Sequence, residues 1–114
     1  MQSSLDKTAT PIEFLGILGG GQLGRFFTIA AQKMGYAVVV FDPDDKSPAG
    51  KIANMHICKP YDDLEALDQL KDICSLVTTE FENVPSETLR YLEKDIIVRP
   101  SSKAISIAQN RIKE

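Results

Sequence analysis

The chain has 114 residues, which at ~100–150 residues per domain leaves room for one domain around one core. With 43% hydrophobic and 25% charged residues, it matches neither a disordered chain, nor collagen, nor a disulfide scaffold. The 13 basic and 16 acidic side chains leave a net charge of −3 with no block of like sign, which disfavours nucleic acid as a partner.

Residues 1–12 are polar and lack the apolar stretch of a secretory signal, so they read as a disordered lead-in to a folded unit over 13–114. Glu13 to Leu18 reads as a strand that ends in glycines. From Gln22 onward the apolar positions Leu23, Phe26, Phe27, Ala30, Ala31 and Met34 keep the spacing of one helix face, and Gly35 stops that helix. Tyr36 to Phe41, the longest unbroken apolar run at six residues, is far too short for a membrane helix. Its β-branched content fits a strand covered on both faces.

Asp42 to Ala49 holds two prolines and three aspartates and reads as a loop. Asn54 to Cys58 is a short strand. Asp62 and Glu65 resemble a capping box ahead of a helix striped by Leu64, Leu67 and Leu70. Ser75 to Thr79 is a further strand. Pro85 suits the first turn of a helix carrying Leu89 and Leu92. Ile96 to Val98 is the last strand, and Ser101 reads as the cap of a helix through Ala104, Ile105, Ala108 and Ile112.

Strand and helix alternate about five times, which predicts an α/β unit with an open parallel sheet of four to five strands and helices on both faces. The last helix reaches Glu114 without a stop signal, so the sequence reads as a piece of something longer. Cys58 and Cys74 form no C-x-x-C pair, and with the lone His56 they are too few for a closed zinc site. Both are expected to be reduced core thiols of a cytoplasmic protein.

Gly19-Gly20-Gly21-Gln22-Leu23-Gly24 satisfies G-x-G-x-x-G on the turn between the first strand and first helix. Gly19 and Gly21 would permit backbone angles and close approach that a β-carbon blocks, and Gly24 would let the helix lie near the sheet. The first-turn amides around Gly21, Gln22 and Leu23 lack helical acceptors and favour a phosphate or another anion. Arg25 could add charge there or point into solvent. A tight turn that binds nothing is the plain alternative.

Two features compete to define the ligand. Asp42 lies about 20 residues past the glycines at the end of the second strand, where a nicotinamide-dinucleotide enzyme keeps the acid for its ribose hydroxyls. Asp-Pro is also an ordinary turn opening. Against this, Glu80 and Glu82 follow the fourth strand at the ligand-binding edge of a parallel sheet, where they could hold ribose hydroxyls or an amine. They could equally be solvated or sit at the start of the helix near Pro85. A packing or dimerisation module is a third option, its mark being a large exposed apolar face.

Four segments taken in order carry a resemblance: 16–25 (GILGGGQLGR), 41–44 with 47–50 (FDPD, SPAG), 79–85 (TEFENVP) and 98–101 with 108–111 (VRPS, AQNR). Together they resemble the N-terminal domain of the 5-(carboxyamino)imidazole ribonucleotide synthase family, the ATPase subunit of phosphoribosylaminoimidazole carboxylase, within the ATP-grasp ligases. The likeness covers nearly everything from Glu13 to Glu114.

The resemblance implies a Rossmann-like preATP-grasp domain that carries no dinucleotide. Its enzyme uses ATP, Mg²⁺ and bicarbonate to carboxylate aminoimidazole ribonucleotide in purine biosynthesis. By the same resemblance Gly21, Gln22, Leu23 and Glu80 hold the ribonucleotide, and Arg111 contacts ATP. No catalytic residue or metal ligand of the family falls within the chain, since its ATP-grasp domain lies beyond the matched part. On its own the chain is expected to bind weakly and turn nothing over. Expected partners are small molecules and a second copy of the chain, with no nucleic acid or membrane.

Overall fold

The computed structural model describes residues 12–79 and 84–100. In chain order it contains β1 (Phe14–Leu18), α1 (Gln22–Lys33), β2 (Ala37–Phe41), β3 (Met55–Ile57), α2 (Leu64–Ile73), β4 (Leu76–Thr79), α3 (Ser86–Glu93) and β5 (Ile97–Arg99). The five strands form one sheet in the order β3-β2-β1-β4-β5, and every pairing is parallel. The expected parallel sheet with helices is present, but strand and helix do not alternate throughout: β2 and β3 are joined by residues 42–54 without a helix. Residues 1–11 of the lead-in, Glu80 to Asn83, and the helix expected from Ser101 all lie outside the described residues.

The apolar run of β2 becomes the middle of the core. Val38, Val39, Val40 and Phe41 are all fully buried, as a strand sandwiched by two layers must be. Alternate residues serve opposite faces. Val39, Phe41, Leu18, Val77 and Val98 pack with Leu67 and Leu70 of α2 and Leu89 and Leu92 of α3. Val38, Val40 and Ile17 pack with Ala31 of α1 and Ala49. Helices thus cover both faces.

Three expectations are corrected. The contact face of α1 is Gly24, Thr28 and Ala31, while Leu23, Phe26 and Met34 are 73%, 58% and 74% exposed. Small residues win because they let the helix approach the sheet closely, which pushes the larger neighbours to the flank. The cap of α2 is Asp63 rather than Asp62, its carboxylate accepting from the Ala66 amide at 3.1 Å. Leu64 is correspondingly exposed, and Ala66, Leu67 and Leu70 form the buried side. Of the two thiols only Cys74 is in the core; Cys58 is exposed, with its Sγ 3.4 Å from the Pro43 carbonyl.

Local signals elsewhere hold. Gly35 follows α1 with φ +96°, and its amide donates to the Gln32 carbonyl at 3.0 Å. Pro85 immediately precedes α3 with φ −64°, so its ring sets the helix entry without costing an amide donor. No helix among the described residues is long and apolar enough to cross a membrane.

The chain steps outward from β1 through β2 to β3, then returns to the other side of β1 for β4 and β5. That reversal puts a switch point between β1 and β4, whose carboxyl ends meet in register at Leu18 and Thr79. In open parallel sheets ligands bind at this place.

Candidate functional site

The loop leaving β1 sits at that switch point. Gly19 is buried with φ +101°, a conformation a side chain would strain, and its amide donates to the Phe41 carbonyl at 2.9 Å. Gly20 donates its amide to Asp42 Oδ2 at 2.7 Å and accepts from the Ala49 amide at 2.8 Å. Gly21 caps α1, and its carbonyl takes the first helical bond, from the Arg25 amide at 2.9 Å. Its φ of −73° is one any residue adopts, so the expected need for glycine angles at this position is corrected.

No side chain caps α1. The amides of Gln22, Leu23 and Gly24, being in the first turn, have no carbonyl one turn back to accept them. They lie at the carboxyl edge of the sheet, next to the positive end of the helix dipole, which is the chemistry that receives an oxyanion. Gln22 and Leu23 are exposed there and Gly21 is half-buried, so the cradle is open to solvent.

A strap closes over the rear of this loop. Residues 42–50 turn back from β2, and Ser47 and Ala49 are buried at 3% and 0% exposure despite lying in a polar segment. A β-carbon on Gly20 would meet Ser47 Oγ at 2.7 Å, so the central glycine is required by the strap. The strap is itself pinned. Asp42 Oδ1 accepts from the Asp44 amide at 2.8 Å, the Gly50 amide donates to Ser47 Oγ at 3.2 Å, and His56 Nε2 stands 3.1 Å from the Asp42 carbonyl oxygen.

These contacts decide the role of Asp42. Both of its carboxylate oxygens already accept backbone amides, so about half of its accepting capacity is spent inside the fold rather than offered to a ribose. Gly21, Gln22 and Leu23 are brought together at the helix start. Arg25 is half-buried with its guanidinium carbon 6.0 Å from the Phe26 ring centre. Thr79 ends β4 across from Leu18, and Glu80 is the next residue in the chain; Glu80, Glu82 and Arg111 lie outside the described residues. No group of three or more His, Cys, Asp or Glu among the described residues is placed to hold a metal ion.

The strap is what the sequence reading missed. Its only advance signal was the short Ser-Pro-Ala-Gly segment, small residues in an otherwise charged loop. Small side chains are what a tightly covered backbone needs.

A parallel sheet whose order reverses beside a glycine turn and an uncapped helix start defines an α/β unit of the Rossmann-like class. The chain belongs to the ribonucleotide synthetase preATP-grasp domain family, whose profile matches residues 12–109. Among curated relatives it is 44% identical over 100 residues to an N5-carboxyaminoimidazole ribonucleotide synthase of Staphylococcus epidermidis, covering 88% of this chain and 27% of the relative. Among solved structures, an ADP complex of an N5-carboxyaminoimidazole ribonucleotide synthetase superposes with a TM-score of 0.78 at 42% identity, covering 86% of this chain and 26% of that one. The Aspergillus clavatus enzyme in complex with ADP and 5-aminoimidazole ribonucleotide superposes with a TM-score of 0.71 at 34% identity, over 83% of this chain and 26% of that one. The chain thus spans about a quarter of the length of the relatives it matches.

Proposed function

We propose that this chain is the substrate-binding N-terminal domain, over residues 13–114, of a ligase that carboxylates aminoimidazole ribonucleotide with ATP and bicarbonate. The product is 5-(carboxyamino)imidazole ribonucleotide, an intermediate of purine biosynthesis in the cytoplasm. The carrying observation is the set of unpartnered first-turn amides at the switch point, which suits a sugar monophosphate. The complex of the Aspergillus clavatus relative with ADP and 5-aminoimidazole ribonucleotide supports that choice of ligand.

In this reading the Gly21, Gln22 and Leu23 amides take the 5′-phosphate, and the Gln22 side chain adds a donor or acceptor. Glu80 accepts hydrogen bonds from the ribose or the amine, and Arg111 contacts the ATP phosphates as a permanently charged planar group. ATP phosphorylates bicarbonate to carboxyphosphate, which delivers carbon dioxide to the exocyclic amine, and ADP and phosphate leave. Mg²⁺ belongs to that reaction, and no cluster of carboxylates among the described residues is placed to hold it.

The engaged carboxylate of Asp42 counts against the nicotinamide alternative. A second surface has an observation of its own. Leu15, Phe27, Ala30, Met34, Tyr36 and Leu76, with Glu13 among them, line an open and largely apolar hollow of about 380 Å³. This favours an additional packing role, and a homodimer is the form we assign to it.

The test is a titration of the isotopically labelled chain. Aminoimidazole ribonucleotide at millimolar concentration should shift the amide signals of Gly21 to Gly24, and NADH should not. Glu80→Gln should weaken the ribonucleotide response. Shifts with micromolar NADH and none with the ribonucleotide would reject the reading.

A further inference from the structure

Gly20, the residue that precedes the cradle, is held at both its amide and its carbonyl by one short stretch of chain. The Gly20 amide donates to Asp42 Oδ2 at 2.7 Å, and the Gly20 carbonyl accepts from Ala49 at 2.8 Å. The distance to Asp42 is that of a charge-assisted hydrogen bond, the stronger kind. The partners are 22 residues apart in sequence, so the contact fixes tertiary position rather than a local turn. Asp42 is anchored in turn through Oδ1 to the Asp44 amide and through its carbonyl oxygen to His56.

A carboxylate behind an anion cradle is electrostatically adverse. Its field opposes an incoming phosphate, and the loop would attract one better without it. Geometry is the compensating gain. With Gly20 clamped, the next three amides begin α1 in a fixed direction, and pre-set donors bind more tightly because no loop ordering is left to do on binding. The position of Asp42 at the end of β2 is that of a dinucleotide enzyme's ribose acid, here turned inward.

We propose that Asp42 is a positioning residue of the cradle, acting through Gly20 to aim the amides of Gly21 to Leu23, and that it does so by accepting a hydrogen bond and in spite of its charge. This rests on the anion-binding reading of the loop given above.

The experiment compares wild type, Asp42→Ala and Asp42→Asn as the full chain. Asn keeps an acceptor for the Gly20 amide while losing the charge and the second acceptor, the one that takes the Asp44 amide; Ala loses the charge and both acceptors. Without ligand, the Gly20 amide proton should resonate downfield and be protected from exchange in wild type and in Asp42→Asn, and lose both properties in Asp42→Ala. With inorganic phosphate and aminoimidazole ribonucleotide as probes, Asp42→Asn should bind as tightly as wild type or more so. Asp42→Ala should bind about tenfold more weakly or worse, as expected for loss of one hydrogen bond to a charged group.

If Asp42→Ala is less stable to heat but binds both probes like wild type, the residue is only structural and the inference is overturned. It is also overturned if Asp42→Asn binds as poorly as Asp42→Ala, and that comparison survives even if the alanine variant does not fold, by setting Asp42→Asn against wild type. Failure of wild type itself to respond at Gly21 to Gly24 would instead reject the underlying anion site, a distinct result.

Discussion

A β-carbon built on Gly24 would stand 2.6 Å from the carbonyl oxygen of Gly19. The neighbour is backbone, so nothing flexible can yield, and α1 sits against the glycine turn because position 24 has no side chain. Thr28 Oγ1, buried one turn on, donates back to the Gly24 carbonyl at 2.7 Å within the helix. Gly24→Ala should therefore destabilise the fold by about 1–3 kcal/mol, the usual cost of overpacking. Chemical denaturation measures it. The amide signals of Gly19 and Gly20 should shift more than those of α2.

Much of this architecture was legible beforehand, for identifiable reasons. The run from Tyr36 to Phe41 has no polar break, and a segment like that is stable only between two layers, so β2 as a strand covered on both faces could be read directly. Gly19 and Gly35 carried their conformational needs openly, whereas Gly21 adopts an ordinary φ. What escaped was contact between distant segments. Asp42 looks like a turn aspartate or a ribose acid from sequence, and only the fold brings it to Gly20. Likewise the hydrophobic spacing of α1 matched a face that includes Leu23, Phe26 and Met34, while the helix packs through its smallest residues. Periodicity records where apolar side chains recur; it does not record how closely two backbones approach.

The cap of α2 gives a paired prediction. Asp62 and Asp63 are adjacent carboxylates, and only Asp63 accepts from the Ala66 amide. Asp63→Ala should cost about 1 kcal/mol in urea unfolding, the typical value of an N-cap. Asp62→Ala, on an exposed residue, should change stability by about 0.5 kcal/mol or less. Equal effects would return the cap to the capping-box spacing of Asp62 and Glu65.

Between α2 and α3 lies a surface network with a pH signature. The Tyr91 hydroxyl donates to Asp68 Oδ1 at 2.6 Å, and Lys71 Nζ lies 3.2 Å from Asp68, 2.7 Å from Asp95 and 4.2 Å from the Tyr91 ring centre. The Tyr91 hydrogen bond, followed by that of Lys71, holds the Asp68 carboxyl below the usual carboxylate range, while the same bond to Asp68 raises the Tyr91 phenol. A depressed carboxyl stabilises the folded form above its ordinary value and loses that contribution as pH falls through the folded value. In Tyr91→Phe the Asp68 carboxyl should titrate at higher pH, seen by carbon NMR. In Asp68→Asn the Tyr91 phenol should titrate lower.

The two thiols should separate completely in reactivity. Cys58 is exposed at the edge of β3, and a thiol reagent should modify it in the native protein. Cys74 is 5% exposed, against Gly16 and Leu70, and burial pushes its thiol from an ordinary 9.0 up to about 12. A thiol that ionises later in the folded state than in the unfolded one keeps its proton where the unfolded chain has lost it, so stability falls as pH rises from about 9 toward 12. Below 9 both states hold the proton and the contribution is complete. Cys74→Ala removes the group: it should be less stable at neutral pH for the lost packing, yet show a shallower alkaline decline than wild type when unfolding is followed from pH 8 to 11. Parallel declines in the two proteins would mean that the Cys74 thiol ionises without opening the core. Modification of Cys74 in native protein as fast as Cys58 would contradict its burial outright.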